Sequence, residues 1–252
     1  MAKYYLYYAP HDAPGGICLA YSDSIEGPYT EHASNPVVAR TWSPHYSVSH
    51  VSSPHVMWNT TTSQMWLYFH GENDTTRLAW SSDGITFTYD RTVVTTSMLP
   101  SGVTESSYAR VFEQRIAAKN SNYVMVLMGN QNGTRKIFWG WSADGRTWTM
   151  AQQPLISPAF DGTTQLSSPH VLNRNGTTYV VCHGSTGKMY LVEVGNDFTQ
   201  STYRGVFHTP RTTGPDNGRS AAPSFGNEGG VEYMLYEAGA RLDATIAIAR
   251  AV

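Results

Sequence analysis

Charge is scarce in this 252-residue chain: Asp, Glu, Lys and Arg together make 14% of it, lysine occurs four times, and the formal net charge is −2. With no run of Lys or Arg, a nucleic-acid phosphate backbone is excluded as the main partner. Long apolar runs are missing too. Nothing approaches the roughly 20 apolar residues that cross a bilayer, and the opening MAKYYLYYAP lacks a basic segment followed by an apolar one, so no membrane span is expected. Cysteine is nearly absent. Cys18 and Cys182 fall far apart in separate predicted strands, which reads as two buried thiols rather than a disulfide or a metal pair. A sustained helical period is also lacking, which leaves β structure as the way to bury the 40% hydrophobic content.

What is present is repetition. SSPHVMW from Ser52, SYARVFEQ from Ser107, SSPHVLN from Ser167 and AAPSFGN from Ala221 start about 54 to 60 residues apart, the spacing of one propeller blade with generous loops. Each is followed by an aromatic or β-branched strand (MWLYFHG, YVMVLMGN, TYVVCHG, EYMLYEAG). After a polar turn comes a third (TRLAWSS, KIFWGWS, KMYLVEV, ATIAIARAV). Fourth strands are announced by SDSIEGPYT, SSDGITFT, SADGRTWT and GNDFTQSTY, where a turn of Asp, Gly or Asn leads into an aromatic residue. The opening KYYLYYA and ICLAYSDS match second and third strands with no first before them. The expected fold is therefore all-β: one domain over residues 1–252, a five-bladed β-propeller with antiparallel blades whose first blade lacks its inner strand.

The string YYLYYAPHDAPGGICLAYSDSIEGPY, the two SSPHV strand starts and the SxDGxxW-type turns resemble the five-bladed clan that includes the family 43 glycoside hydrolases. The likeness spans the whole chain as a blade pattern. It implies hydrolysis of glycosidic bonds by an aspartate base on the first inner strand, an aspartate on the second and a glutamate acid on the third. Here the first position is missing and the second reads SSPHV without aspartate. Only Glu105, in TESSYARVF, matches. The resemblance implies a carbohydrate substrate and, with the abundance of Tyr, Trp, Thr, Ser and Asn, a secreted or periplasmic setting.

Adjacent strands of a blade are antiparallel, so the link entering an inner strand and the turn between second and third strands emerge at the same end. That end should gather Glu105, Asp12, His50, His70 and Tyr108 as candidate catalytic groups. Arg110, His55, Glu72, His170, His183, Arg219, Glu237 and Trp42 are candidate substrate contacts. Glu105 could protonate a departing glycosidic oxygen, with Asp12, Glu72 or Glu237 as partner carboxylate. Tyr108 and Arg110 share one side of a strand, so a lyase is the alternative: Arg110 clamping a uronate carboxylate while His50, His70 and Tyr108 serve as base and acid. Imidazoles of His50, His55, His70 and His170 meeting near the axis could hold a central metal ion, although no His-x-x-x-His spacing marks one. A sugar-binding lectin would repeat one pocket in every blade. The mouth residues instead differ from blade to blade, as one asymmetric site would require.

Overall fold

The computed structural model describes residues 2–10 and 15–251. Alternating apolar strands joined by polar turns give five small antiparallel sheets arranged in a ring. Blade I holds β1 (Tyr4–Tyr8), β2 (Cys18–Ser22) and β3 (Thr30–Glu31). A hairpin of β4 (Thr41–Trp42) and β5 (Tyr46–Ser47) follows. Blade II comprises β6 (Val51–Asn59), β7 (Gln64–Gly71), β8 (Thr75–Ser81) and β9 (Thr88–Thr95). Blade III comprises β10 (Ser107–Ile116), β11 (Ser121–Gln131), β12 (Thr134–Ser142) and β13 (Thr149–Met150). In blade IV the strands are β14 (Leu166–Arg174), β15 (Thr177–Gly184), β16 (Met189–Glu193) and β17 (Thr202–His208). Blade V has three, β18 (Ser220–Glu228), β19 (Val231–Ala240) and β20 (Asp243–Arg250). No helix is long and apolar enough to cross a membrane among the described residues.

The Ser-x-Asp-Gly turns explain how blades stack. In blade III the Asp144 carboxylate accepts the backbone N–H groups of Arg146 and Thr147, and the Ser142 hydroxyl accepts that of Gly145. Asp83 and Ser81 do the same in blade II. The turn carbonyl then receives a tyrosine from the preceding blade: Tyr68 donates to Gly145 O at 2.8 Å, and Tyr7 donates to Gly84 O at 2.6 Å. Tyr7 on β1 thus makes the contact that Tyr68 makes on a second strand, so β1 occupies a second-strand place and blade I has no inner strand. Exposure agrees. Every residue of β1 is half-buried, whereas β7 and β11 are mostly buried, and inner strands β6 and β18, which flank the gap, are more open than β14.

Gly145 is required by this stacking. Its φ is +70°, and a Cβ there would stand 2.5 Å from the Trp66 ring. Gly145→Ala should cost about 3 kcal/mol or more from clash and strain, against about 1 kcal/mol for Gly133→Ala, whose φ is +83° with open space around it. Urea denaturation of the two variants checks this; equal losses would remove the packing argument.

Apolar side chains fill the space between blades in four clusters. Phe69 and Val51 with Ile17 lie between blades I and II, Trp66 and Tyr68 with Val111 between II and III, Val124 and Trp139 with Val180 between III and IV, and Val181 with Met234 and Tyr236 between IV and V. Blades V and I share no strand. Among the described residues they meet through Glu228, which accepts from Lys3 Nζ (2.9 Å), Ser24 Oγ (3.1 Å) and Ile25 N (3.3 Å), through Tyr4 Oη, which donates to Asn227 O (3.5 Å), and through Ile25 lying over Gly226. Cys18 and Cys182 are free and buried, and burial pushes the Cys182 thiol up to about 12.

Candidate functional site

All four inner strands break their ladder at the same place. Ser53, Tyr108, Ser168 and Ala222 take φ values of +49° to +55°, and the register shifts at Ser52/His55, Ser107/Arg110, Ser167/His170 and Ala221/Ser224. Proline follows the bulge residue in three of the four, as suits a position with no ladder N–H to donate. Tyr108, the bulkiest of the bulge residues, is held in a conformation that side chains avoid, a feature that clusters at functional sites.

A bulge leaves its own N–H without a ladder partner, and the preceding blade supplies one. Tyr108 N donates to His70 Nδ1 at 3.3 Å, and Ala222 N donates to His183 Nδ1 at 3.3 Å. His70 and His183 occupy matching positions on second strands, opposite Ser52 and Ser167. Burial, chiefly, holds the pKa of each at about 3, with nearby cationic groups adding to the effect. Each ring is therefore neutral, its Nδ1 lone pair is taken, and its proton sits on Nε2. His183, which lines the cleft where blades III, IV and V meet, consequently presents a hydrogen-bond donor to it, while His70 stays buried at 3% exposed.

Three groupings result. In the first, the His50 ring meets His70 edge-on with centroids 6.0 Å apart, and His70 lies 5.5 Å from the Tyr108 ring. His50 is held by Ser49 Oγ (2.9 Å) and Asn73 Oδ1 (3.2 Å), and Glu72, exposed in the adjoining turn, accepts Ser49 N at 3.4 Å. The second grouping fills the axis. His55 Nε2 donates to Val111 O at 2.7 Å, Arg110 Nη1 donates to Pro54 O at 2.5 Å, and Phe112 and Phe225 close around His170 at 5.0 and 5.1 Å. Burial, reinforced by Arg110, depresses His55 to about 3 and His170 well below its usual value. Arg110 itself is lowered to about 10 by burial and stays charged at neutral pH. No carboxylate pairs with it among the described residues, and its Nε has no partner.

The third grouping lies where blades III, IV and V meet. Glu105, mostly buried, accepts from Asn130 Nδ2 (3.1 Å) and pairs with Arg135 at 3.4 Å. Glu237 pairs with Arg219 at 2.8 Å. Between them a cleft of about 350 Å³ is lined by Tyr108, Arg135, His183, Arg219 and Arg241. Arg135 was not among the expected mouth residues because it stands past its turn, at a strand start; its register opposite Asn130, in the turn that leads out of a second strand, was the available signal.

Asp12 lies outside the described residues. Trp42 sits on the β4–β5 hairpin and packs edge-on against Tyr46 (6.1 Å) and Tyr89 (5.9 Å) within the cluster between blades I and II, because interblade space there is filled from the hairpin. The exposed tryptophan is instead Trp58, at the far end of β6 and 50% exposed. As for a metal, no three His, Cys, Asp or Glu side chains converge to hold one among the described residues.

The fold is that of a five-bladed β-propeller. No family model matches the chain, and no curated protein matches it in sequence. Solved structures do match. A thermostable family-43 glycoside hydrolase is 18% identical over 83% of this chain and 71% of its own, with a TM-score of 0.60. An exo-1,5-α-L-arabinanase from a bovine ruminal metagenomic library is 11% identical, covering 98% and 88%, with a TM-score of 0.74. An α-L-arabinofuranosidase from Lactobacillus brevis is 16% identical, covering 98% and 86%, with a TM-score of 0.71. At such identities the likeness establishes the fold: that of the family-43 and related propellers.

Proposed function

We propose that the protein is a carbohydrate-active enzyme that cleaves glycosidic bonds of a polysaccharide or oligosaccharide at the mouth of the ring. One observation carries this reading: the second-strand positions paired opposite the start of each inner strand are His70, Met128, His183 and Glu237, so four strands of one backbone plan carry three kinds of residue and no single group recurs in every blade. A binding propeller with equivalent pockets would repeat them; a single catalytic centre needs them different. The likeness to solved glycoside hydrolases supports the same class. Glu105 is the acid/base carboxylate of this reading, fixed at the mouth by Asn130 and Arg135. Glu237 and Glu72 are its candidate partners. Hydrolysis adds water across the bond, so it releases one reducing end per cut and no new double bond. An extracellular or periplasmic place of work goes with a polymeric substrate.

Arg110 favours a second reading, β-elimination, because a buried guanidinium without a carboxylate partner suits the carboxylate of a uronate. There Tyr108 would take the C5 proton, the C4–O bond would break as a C4–C5 double bond forms, and the leaving oxygen would recover a proton. His70, with its proton on Nε2, would donate to the substrate rather than act as base.

Incubation with a panel of plant and algal polysaccharides, followed by reducing ends and ultraviolet absorbance together, separates the outcomes. Reducing ends alone mean hydrolysis, absorbance means elimination, and neither on the whole panel favours a sugar-binding module. Glu105→Gln should lower hydrolytic turnover by at least about 100-fold. Near-normal turnover in that variant rejects the acid/base assignment.

A further inference from the structure

The cleft between blades III, IV and V offers donors and almost no acceptors. Gln165 spends its Oε1 on Arg135 N (2.6 Å) and its Nε2 on Gly133 O (3.3 Å). Ser185 Oγ is engaged with Thr163 and Thr164, and Thr186 is hydrogen-bonded to Tyr190. The two nearby carboxylates, Glu105 and Glu237, are each turned onto a guanidinium, Arg135 and Arg219. Arg241 lines the same cleft and has no ion-pair partner among the described residues. Three guanidinium groups against two carboxylates leave the wall positively charged. His183 adds one more donor: its Nδ1 is held by Ala222 N, so Nε2–H is the free end of the ring.

A wall of this kind repels cations and leaves neutral sugars with few partners for their hydroxyl protons. It suits a ligand that brings negative charge and acceptor oxygens. Half-exposed Tyr108, at the edge of the same cleft, supplies an aromatic ring for an apolar sugar face. We propose that this cleft is a recognition subsite for an acidic sugar, a uronate whose carboxylate is taken by Arg241 and Arg219 and whose ring oxygens accept from His183 Nε2. The inference rests on the reading of the mouth as a carbohydrate site and names the substrate class: uronate-containing glycans.

The test uses a monosaccharide, which has no glycosidic bond, so that binding is read apart from cleavage. D-Glucuronate titrated into the intact protein at low salt, followed calorimetrically, is expected to bind at least about tenfold more tightly than D-glucose or glucuronate methyl ester. Acetate and inorganic phosphate should bind more weakly than glucuronate. Arg241→Ala changes an exposed turn residue and should fold normally by circular dichroism. It should weaken glucuronate binding at least about fivefold, with Arg241→Lys recovering part of the loss. Equal binding of glucose and glucuronate overturns the subsite, and so does tighter binding of phosphate, which would mark a plain anion patch. An unchanged affinity in Arg241→Ala overturns it as well. Cleavage of neutral glycans without glucuronate binding removes this inference and leaves the proposed function standing. Glucuronate binding with no cleavage anywhere on the panel keeps the subsite and removes the enzyme.

Discussion

Lowering the pH from 7 to about 4.5 is expected to unfold the protein at temperatures where it is otherwise stable. Four histidines are held neutral by burial: His55, His70 and His183 near pKa 3, and His170 well below its usual value. In the unfolded chain each titrates near 6.5. A depressed folded-state value means that the unfolded chain binds more protons below that point, so stability is fully present above about pH 6.5 and is lost as the pH falls towards 3. Each fully buried histidine contributes a slope of about 1 kcal/mol per pH unit in that window. His70 and His170, 3% and 7% exposed, should deliver most of it, while half-buried His55 and His183 add less. Against a total stability of about 5–15 kcal/mol, a few units of pH suffice. Thermal midpoints measured from pH 7 to pH 4 should drop steeply below pH 6. His70→Gln, which keeps an acceptor for the Tyr108 N–H, should flatten part of the slope. A midpoint that stays level to pH 4 would show that these rings are reached by water in the native state.

Arg110→Met is expected to make the protein more stable and less useful to itself. The guanidinium is 7% exposed, carries a charge at neutral pH, and has for a partner one carbonyl, that of Pro54. Burying an unpaired charge costs several kcal/mol, whereas the carbonyl left behind by methionine costs about 1–3 kcal/mol. Methionine fills a similar volume among Phe112, His55 and His170. A net gain of about 1–2 kcal/mol should appear as a higher urea midpoint at pH 7, with an unchanged slope. Removing the charge also relieves His55, His70 and His170, so the acid sensitivity of the variant should fall. On the β-elimination reading, cleavage of uronate-containing polysaccharides should be lost as well. A variant that is less stable by 1 kcal/mol or more would mean that the arginine is a structural strut and not a binding group.

Much of the ring was legible in the sequence because the information is local and repeated. The strand triplets, the Ser-x-Asp-Gly turns and the missing first strand of blade I all follow from patterns within ten or so residues, and the blade strands fall where those patterns lie, whereas the β4–β5 hairpin had no such pattern. The mouth was legible only as a set of loop ends. What each group does there is decided by contacts between blades. Nothing in FHGEN announces that His70 will accept the backbone N–H of a residue 38 positions later, and with it lose the lone pair that would have made it a base. Trp42 reads as an exposed loop ring, yet the hairpin that carries it folds onto Tyr89, while Trp58 within a strand is left open. Glu105 reads as a candidate acid in a Ser/Thr-rich approach; nothing there announces its ion pair with Arg135, which stands at a strand start 30 residues away.

The ring is geometrically closed but energetically linear. Four of its five seams are sealed by apolar clusters, and the fifth, between blades V and I, is pinned by Glu228 and Ile25 without a shared strand. Each blade therefore leans on its sequence neighbours, and the molecule has two ends in the thermodynamic sense, as a short solenoid does. Fraying is expected to start at that clasp and travel inwards. Blades III and IV, which supply Glu105, Tyr108, Arg110, His170 and His183, lie furthest from the opening and should hold their places longest, whereas Arg219, Glu237 and Arg241 of blade V stand beside it.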